Sequence, residues 1–558
     1  MRRKKQLRHE SFSIAILLIF ILFFADFGAY KLWFSNAASA TANLWVNTTA
    51  GASPSRCSPA CVYNAANSYG TFDSALAASS PGDTILVKCG TYSTQSITTV
   101  KSSGNVTFSS ETPKCATIEA NGAVAVSFGN GVGYLTLDNL TVNGRITSST
   151  TTGIGNNNIT ISNSDIDVGK KVNGQPVSYS VGSNLTITGN TIGPSCCGYN
   201  GGSGNSPEGI RIGKPNSATA SCTTQACDVT ITNNLIQYTV RDCQYWPSSG
   251  FGSCPDTTCT NGVGCHMDGI HIWGVDGANI SGNRLYGVEC QGIFLENTNN
   301  SLQRDVTIKN NAISSVVGGC GNKGIYLSAG GATDGSTNGF AGTWDVAFNS
   351  GGSTIIGPNG CGSCQPGTKF NLTGNNMILF ATNNTGNGAG CTTPWGTSTI
   401  NYTYNVWRPG GTNQACGSHD LLANASPAFI NEVNPPATGI DLHLAVGSQA
   451  IDYVPSSICS PIVTADFEND SRPQGPACDA SADEVVSSSN PPPTPPPPTP
   501  PPPPPTKQGD CNNDNQVDVT DLSILLTKFN QNYPSCDFNI DSIVNVFDLS
   551  TLLTDFGT

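Results

Sequence analysis

The chain predicts a mainly β fold: a long parallel β-solenoid, then a stiff proline-rich linker, then a small helical module at the C-terminus. Three observations carry this. Short alternating triplets of β-branched residues recur through the first part of the sequence, and a glycine-led segment is interleaved with the later copies. A run of 13 prolines and two threonines at 491–505 separates both from two matching acidic segments. Composition agrees with this division. Of 558 residues only 11% are charged, with 62 Gly and 35 Pro, which disfavours a helical bundle and suits short strands joined by tight turns. The net charge is −13, which sets aside duplex nucleic acid and anionic membrane surfaces as partners.

Residues 1–40 have the layout of an export signal. Five of the first ten residues are Lys or Arg, an apolar run follows from Phe12 to Ala25, and Ala38-Ser39-Ala40 offers a small-x-small cleavage site. Apolar residues continue to Phe34, so a retained N-terminal membrane anchor is the alternative. All 22 cysteines lie beyond residue 40. An even count in an exported chain predicts disulfides, and Cys361-Gly-Ser-Cys364 is read the same way, since no second pair completes a zinc site. Both features place the protein outside the cell, secreted or at the cell surface.

Between 41 and 485 one segment type recurs as Leu135-Thr136-Leu137, Ile159-Thr160-Ile161, Leu185-Thr186-Ile187, Val229-Thr230-Ile231, Ala278-Asn279-Ile280 and Val306-Thr307-Ile308. Most copies reach an Asn three residues on, at Asn190, Asn234, Asn283 and Asn311. The second type is Gly209-Ile210-Arg211-Ile212, Gly269-Ile270-His271-Ile272, Gly292-Ile293-Phe294-Leu295 and Gly324-Ile325-Tyr326-Leu327. Strands of this kind wind into a parallel solenoid whose coils bury Ile, Val and Leu and stack about 4.8 Å apart. The Asn residues then form a ladder that hydrogen-bonds coil to coil, a structural role.

If the Gly-Ile strands occupy successive coils, Glu208, Asp268, Gln291 and Lys323 share one column. Arg211, His271, Phe294 and Tyr326 then point outward, with Gly213, Trp273, Glu296 and Ser328 two residues further on. Long cysteine-rich insertions at 193–207, 214–227 and 237–267 cluster around these strands, where binding sites commonly sit. Aromatic plates among ionisable groups suit an oligosaccharide groove, with Trp273, Phe294, Glu296 and Tyr326 as substrate contacts. Glu208 and Asp268, one coil apart, would repel, so that one stays protonated as the acid of a hydrolytic pair. Alternatively Arg211 or Lys323 neutralises a uronate while His271 removes a proton in β-elimination. The competing structural reading makes His271 a ladder residue, the Glu208–Asp268 pair a turn hydrogen bond and the aromatics a stacking ladder. His419 and His443 lie outside the column and receive no role.

On these residues, 41–485 resembles a secreted right-handed parallel β-helix of the pectin-lyase-like superfamily. Gly70-Thr71-Phe72, Pro81-Gly82-Asp83-Thr84-Ile85 and Gly90-Thr91-Tyr92 are similar to the first coil of such proteins. Gly447-Ser448-Gln449-Ala450-Ile451-Asp452, Arg472-Pro473 and Asp483-Glu484 resemble their closing segment. The resemblance implies fold rather than substrate. The paired aspartates and Gly-His-Gly of polygalacturonases are missing.

The linker, 486–506, predicts a polyproline II rod of roughly 45 Å. In 507–558, Asp510, Asn512, Asp514, Asp518 and Asp521 fall at positions 1, 3, 5, 9 and 12 of a cation loop, as do Asp537, Asn539, Asp541, Asn545 and Asp548. Gln516 and Ile543, at position 7, would contribute backbone carbonyls. Leu522, Leu525 and Leu526, then Leu549, Leu552 and Leu553, predict one helix per loop. The pair resembles a type I dockerin, which implies about two Ca2+ ions and a cohesin-type protein as partner, engaged through Val519-Thr520 and Val546-Phe547. Cys511 and Cys536 flank the loops at positions suited to a bridge. The function expected is therefore an exported polysaccharide hydrolase or lyase docked through calcium-dependent dockerin–cohesin binding. The alternative is a non-catalytic glycan-binding adhesin or structural solenoid.

Overall fold

A computed structural model describes residues 40–148, 155–166, 175–193, 195–196, 208–213, 226–237, 239–240, 268–288, 291–296, 302–315, 323–328, 339–357, 365–381, 398–409, 414–423, 428–432, 440–485, 509–512, 514, 516–539, 543–554 and 556. The export segment, the Pro-rich run, most of the three insertions, Cys361, Cys364 and Asp541 lie outside these residues, and so does the side chain of Lys323. Two compact units are present, up to Ser487 and from Ser488. Among the described residues no helix is long and apolar enough to cross a membrane.

The first unit is a parallel β-helix. One of its large sheets has 12 parallel strands, from Leu44–Val46 to Thr399–Thr403. The recurring triplets are its core: Ile159, Leu185, Val229, Ala278 and Val306 stack in register, as do Ile161, Ile187, Ile231, Ile280 and Ile308. All of these are buried, and each Ile, Leu or Val contributes about 1.5–3 kcal/mol on leaving water. The residue before each triplet is a bulge in the left-handed region, at φ 55° for Asn158, 56° for Asn184, 50° for Asp228, 80° for Gly277 and 52° for Asp305. Asn, Asp and Gly tolerate that conformation, and Tyr134, ahead of the first triplet, also adopts it at φ 55°.

Each strand ends at a second left-handed residue, and the buried ladder residue comes next. Asn190, Asn234, Asn283 and Asn311 each donate backbone N and Nδ2 to the Oδ1 of the next, at 2.9–3.1 Å. The ladder runs beyond the four positions expected, through Asn349, Asn375 and Asn405, and its last acceptor is Asp420. The left-handed residue ahead of Asn349 is Phe348 and ahead of Asn405 is Tyr404, in place of the Gly or Asn found at the earlier rungs.

The ends are closed differently. At the N-terminus, helix Phe72–Ala78 is capped by Thr71, buries Phe72, Ala75 and Leu76, and stacks Phe72 on Phe108 at 4.7 Å. At the other end the parallel coils give way to a closing segment before 485. The last parallel pair is Val406–Trp407 with Leu421–Leu422, and Phe429–Asn431 then pairs antiparallel with Asp441–Leu444. This closing segment packs Phe429, Leu442, Leu444, Val454 and Phe467 against Phe348 and Val406, covering apolar surface that a further coil would otherwise bury. Its Arg472, buried at the guanidinium, donates to the carbonyls of Asp479 and Ser481 at 3.1 and 2.8 Å. His443 is clasped by Asp441 on Nδ1 at 2.5 Å and by Glu468 on Nε2 at 3.0 Å.

Among the described residues, disulfides join Cys57–Cys61, Cys89–Cys115, Cys459–Cys478 and Cys511–Cys536. The last bridges the two C-terminal loops.

Candidate functional site

The glycine-led strands form another face of the β-helix, with Ile210–Gly213, Ile270–Trp273, Gln291–Glu296 and Lys323–Ser328 in parallel register. Ile210, Ile270, Ile293 and Ile325 are fully buried in the coil interior. The glycines are required by close approach. A Cβ on Gly209 would lie 2.6 Å from the Gly269 carbonyl oxygen, one on Gly269 2.7 Å from that of Gly292, and one on Gly292 2.6 Å from that of Gly324. Removing these side chains brings the carboxylates that precede Gly209 and Gly269 close to the outer face of the sheet.

The outer columns are those expected: Arg211, His271, Phe294, Tyr326, and Gly213, Trp273, Glu296, Ser328. Glu208 and Asp268 converge on one histidine. His271 Nδ1 lies 2.9 Å from Glu208 Oε1 and 3.4 Å from Asp268 Oδ2, and Nε2 lies 3.4 Å from Glu296 Oε2. The other Asp268 oxygen accepts the Gln291 backbone N–H at 3.0 Å. The Trp273 indole donates to Glu296 at 3.0 Å. Arg211 lies 3.7 Å from Glu208 and stacks over the Trp273 ring at 4.2 Å. His271 stacks on Phe294, and Phe294 on Tyr326, at centroid distances of 4.6 and 4.9 Å.

Two expectations change. The open groove is corrected: among the described side chains, Glu208, Asp268, His271 and Phe294 are buried, and Arg211, Trp273, Glu296 and Tyr326 are half-buried. The cause of the raised carboxyl is corrected as well. Burial is the leading effect pushing Asp268 up to about 7, with the Glu208 charge adding and His271 opposing. Burial alone would lower His271, but Glu208, Glu296 and Asp268 together raise it to about 10. Burial lowers the Arg211 guanidinium, and Glu208 partly restores it. Sequence reasoning placed Glu296 among substrate contacts and missed its approach to His271. The signal was present, since position 296 stands two residues beyond Phe294 and one coil from Trp273. The Lys323 backbone pairs with Gln291 in the expected register.

In the second unit the two loops have the same local geometry. Asp521 Oδ1 accepts the backbone N–H groups of Cys511 and Asn512, and its Oδ2 accepts that of Asp518. Asp548 does the same with Phe538, Asn539 and Asn545. Both carboxylates are fully buried. Each loop leads into a helix, Val519–Thr527 or Val546–Thr554, which buries Leu525 or Leu552. Val519, Leu526, Val546, Phe547 and Leu553 are exposed.

No protein-family profile matches the chain, and no curated protein matches it. Solved structures do. Pectate lyase Pel9A aligns over 79% of this chain and 96% of its own at 16% identity, with a TM-score of 0.38. An alginate lyase from Paenibacillus sp. str. FPU-7 aligns over 59% and 94% at 16% identity, with a TM-score of 0.33. The Dettilon tailspike protein aligns over 58% and 62% at 12% identity, with a TM-score of 0.35. The strand pairing itself establishes the parallel β-helix.

Proposed function

We propose that this is an exported, carbohydrate-active β-helix protein that hydrolyses a neutral polysaccharide and is attached to a partner through a calcium-binding, dockerin-like C-terminal module. The observation that carries the reading is the strip Arg211, Trp273, Glu296 and Tyr326, half-buried across neighbouring coils beside the Glu208–Asp268–His271 cluster. Aromatic faces take the apolar faces of pyranose rings, and Glu296, fixed by the Trp273 indole, is the carboxylate of the cluster that reaches solvent. Hydrolysis is favoured over β-elimination on charge. A uronate would approach Glu208, Asp268 and Glu296, while the Arg211 guanidinium is already engaged by Glu208 and Trp273.

The burial of Glu208, Asp268 and His271 favours a second reading, in which the strip binds glycan without cutting it. The test is to incubate the calcium-loaded protein with neutral and uronate polysaccharides, following new reducing ends, the ultraviolet absorbance of unsaturated products, and retention in glycan-containing gels. Reducing ends alone support hydrolysis. Unsaturated product overturns it in favour of elimination, and retention without cleavage leaves the binding reading.

For the second unit, the support is a donor set made wholly of hard oxygens and repeated with the same hydrogen bonds at Asp521 and Asp548. These residues fit Ca2+: Asp510, Asn512, Asp514, Gln516, Asp518 and Asp521 would hold one ion, and Asp537, Asn539, Asp541, Ile543, Asn545 and Asp548 a second. Bound calcium would supply charge balance and rigidity. The exposed Val519, Leu526, Val546, Phe547 and Leu553 would then face a cohesin-type partner.

A further inference from the structure

The geometry points to a divalent transition-metal site, of the kind that takes Zn2+, formed by Glu208, Asp268 and His271 in the β-helix. It uses the same residues as the glycan reading but does not depend on it, because metal binding is read separately from turnover.

Three observations meet here. One oxygen from each carboxylate and one imidazole nitrogen lie within 4.8 Å of one another, and all three side chains are buried. Mixed nitrogen and oxygen donors suit Zn2+ better than the calcium expected of oxygen-only loops. The second observation concerns the far side of the ring. With Nδ1 facing Glu208 and Asp268, Nε2 faces Glu296 at 3.4 Å, and Glu296 is itself held by the Trp273 indole. A histidine that ligates through one nitrogen and gives its other N–H to an oriented carboxylate is the arrangement that fixes a ligand's tautomer and raises its basicity. The third is charge. Three carboxylates, Glu208, Asp268 and Glu296, close on one imidazole, and a divalent ion taking the place of the imidazole's proton would balance them better than that proton does. Buried charge of one sign is costly unless it is compensated in this way.

Three protein ligands leave at least one position for water or a substrate oxygen. The ion would lie beside the strip that includes Trp273.

The experiment uses the full-length, calcium-saturated protein, dialysed against Zn2+, with metal counted by mass spectrometry and affinity taken from calorimetry. Co2+ in place of Zn2+ provides a visible ligand-field spectrum. One zinc per chain beyond calcium is expected, abolished in His271→Gln. In Glu296→Gln the affinity should fall about 10- to 100-fold, the effect of losing an orienting carboxylate. Far-UV circular dichroism checks folding, and if His271→Gln does not fold, the half-buried Glu296→Gln carries the test. His443→Gln should leave zinc binding unchanged. The inference is overturned by wild-type protein that takes up no zinc, by Glu296→Gln binding as tightly as wild type, or by zinc lost only with His443→Gln. Zinc binding without action on any glycan would keep the site and remove the proposed function.

Discussion

The β-helix contains two buried polar columns that run along its coils, and they are built on opposite rules. In the Asn ladder each member is a neutral amide that satisfies the one before it and is satisfied by the one after. In the Glu208–Asp268–His271 cluster the members are unlike, charged and mutually dependent, and they stop after two coils. The first column lowers the energy of any coil added to it. The second is a closed unit that contributes nothing to its neighbours, and a solenoid has no structural need of it. Unlike buried charges gathered on two coils of a repeating scaffold are what a site looks like.

The ladder should break hardest. Asn283→Leu removes the acceptor for two Asn234 donors and the donor to the Ile231 carbonyl, leaving buried groups unsatisfied. We expect a loss of about 3–5 kcal/mol, seen as a lower urea midpoint at unchanged slope. Asn283→Asp keeps the acceptor and should cost less. A shift below about 1 kcal/mol for Asn283→Leu would show that the coils do not need the ladder.

The cluster should break differently. Glu208→Leu alone strands His271 beside Asp268 and should cost about 3 kcal/mol. Replacing Glu208, Asp268 and His271 together by Leu, Asn and Leu should recover most of that loss, because a closed unit can be removed whole. If the triple variant is less stable than the single one, the cluster supports the coils after all.

The third and smallest effect sharpens the contrast through His443, a half-exposed histidine also clasped by two carboxylates. Burial lowers it, but Glu468 and Asp441 outweigh burial and raise it to about 9. A histidine raised on folding contributes stability that is full below its unfolded value of about 6.5 and is lost as pH rises through about 9. Hydrogen exchange in 441–485 should therefore quicken between pH 6.5 and 10 beyond the intrinsic rate, and His443→Gln should flatten that dependence. Equal pH profiles for the two proteins would remove the clasp from the account.

What could be read from the sequence follows the same division. The triplets and the first ladder positions were legible because each coil restates them, and Gly209, Gly269 and Gly292 set the register of the site strands in advance. The rungs from Asn349 on were not: Asn349 and Asn405 follow Phe348 and Tyr404, which take a conformation that bulky residues seldom adopt. The site columns were legible as chemistry, yet the burial of Glu208, Asp268 and His271 was not, since the neighbouring insertions follow no repeat from which depth can be inferred. The closing segment was legible as an end to the coils, but the antiparallel pairing of Phe429–Asn431 with Asp441–Leu444 was not, because alternating apolar residues do not show strand direction.

Asp420 gives the ladder a further meaning. An asparagine both receives and passes on a hydrogen bond, so the series is open-ended and a duplicated coil could be spliced into it at no cost in unmet partners. A carboxylate only receives. Asp420 takes the Asn405 donors on one oxygen and the Trp407 indole and Gly417 N–H on the other, with nothing to hand forward. It acts as a stop mark that sets how many coils the molecule has: growth by duplication can occur anywhere upstream of it, but not across it.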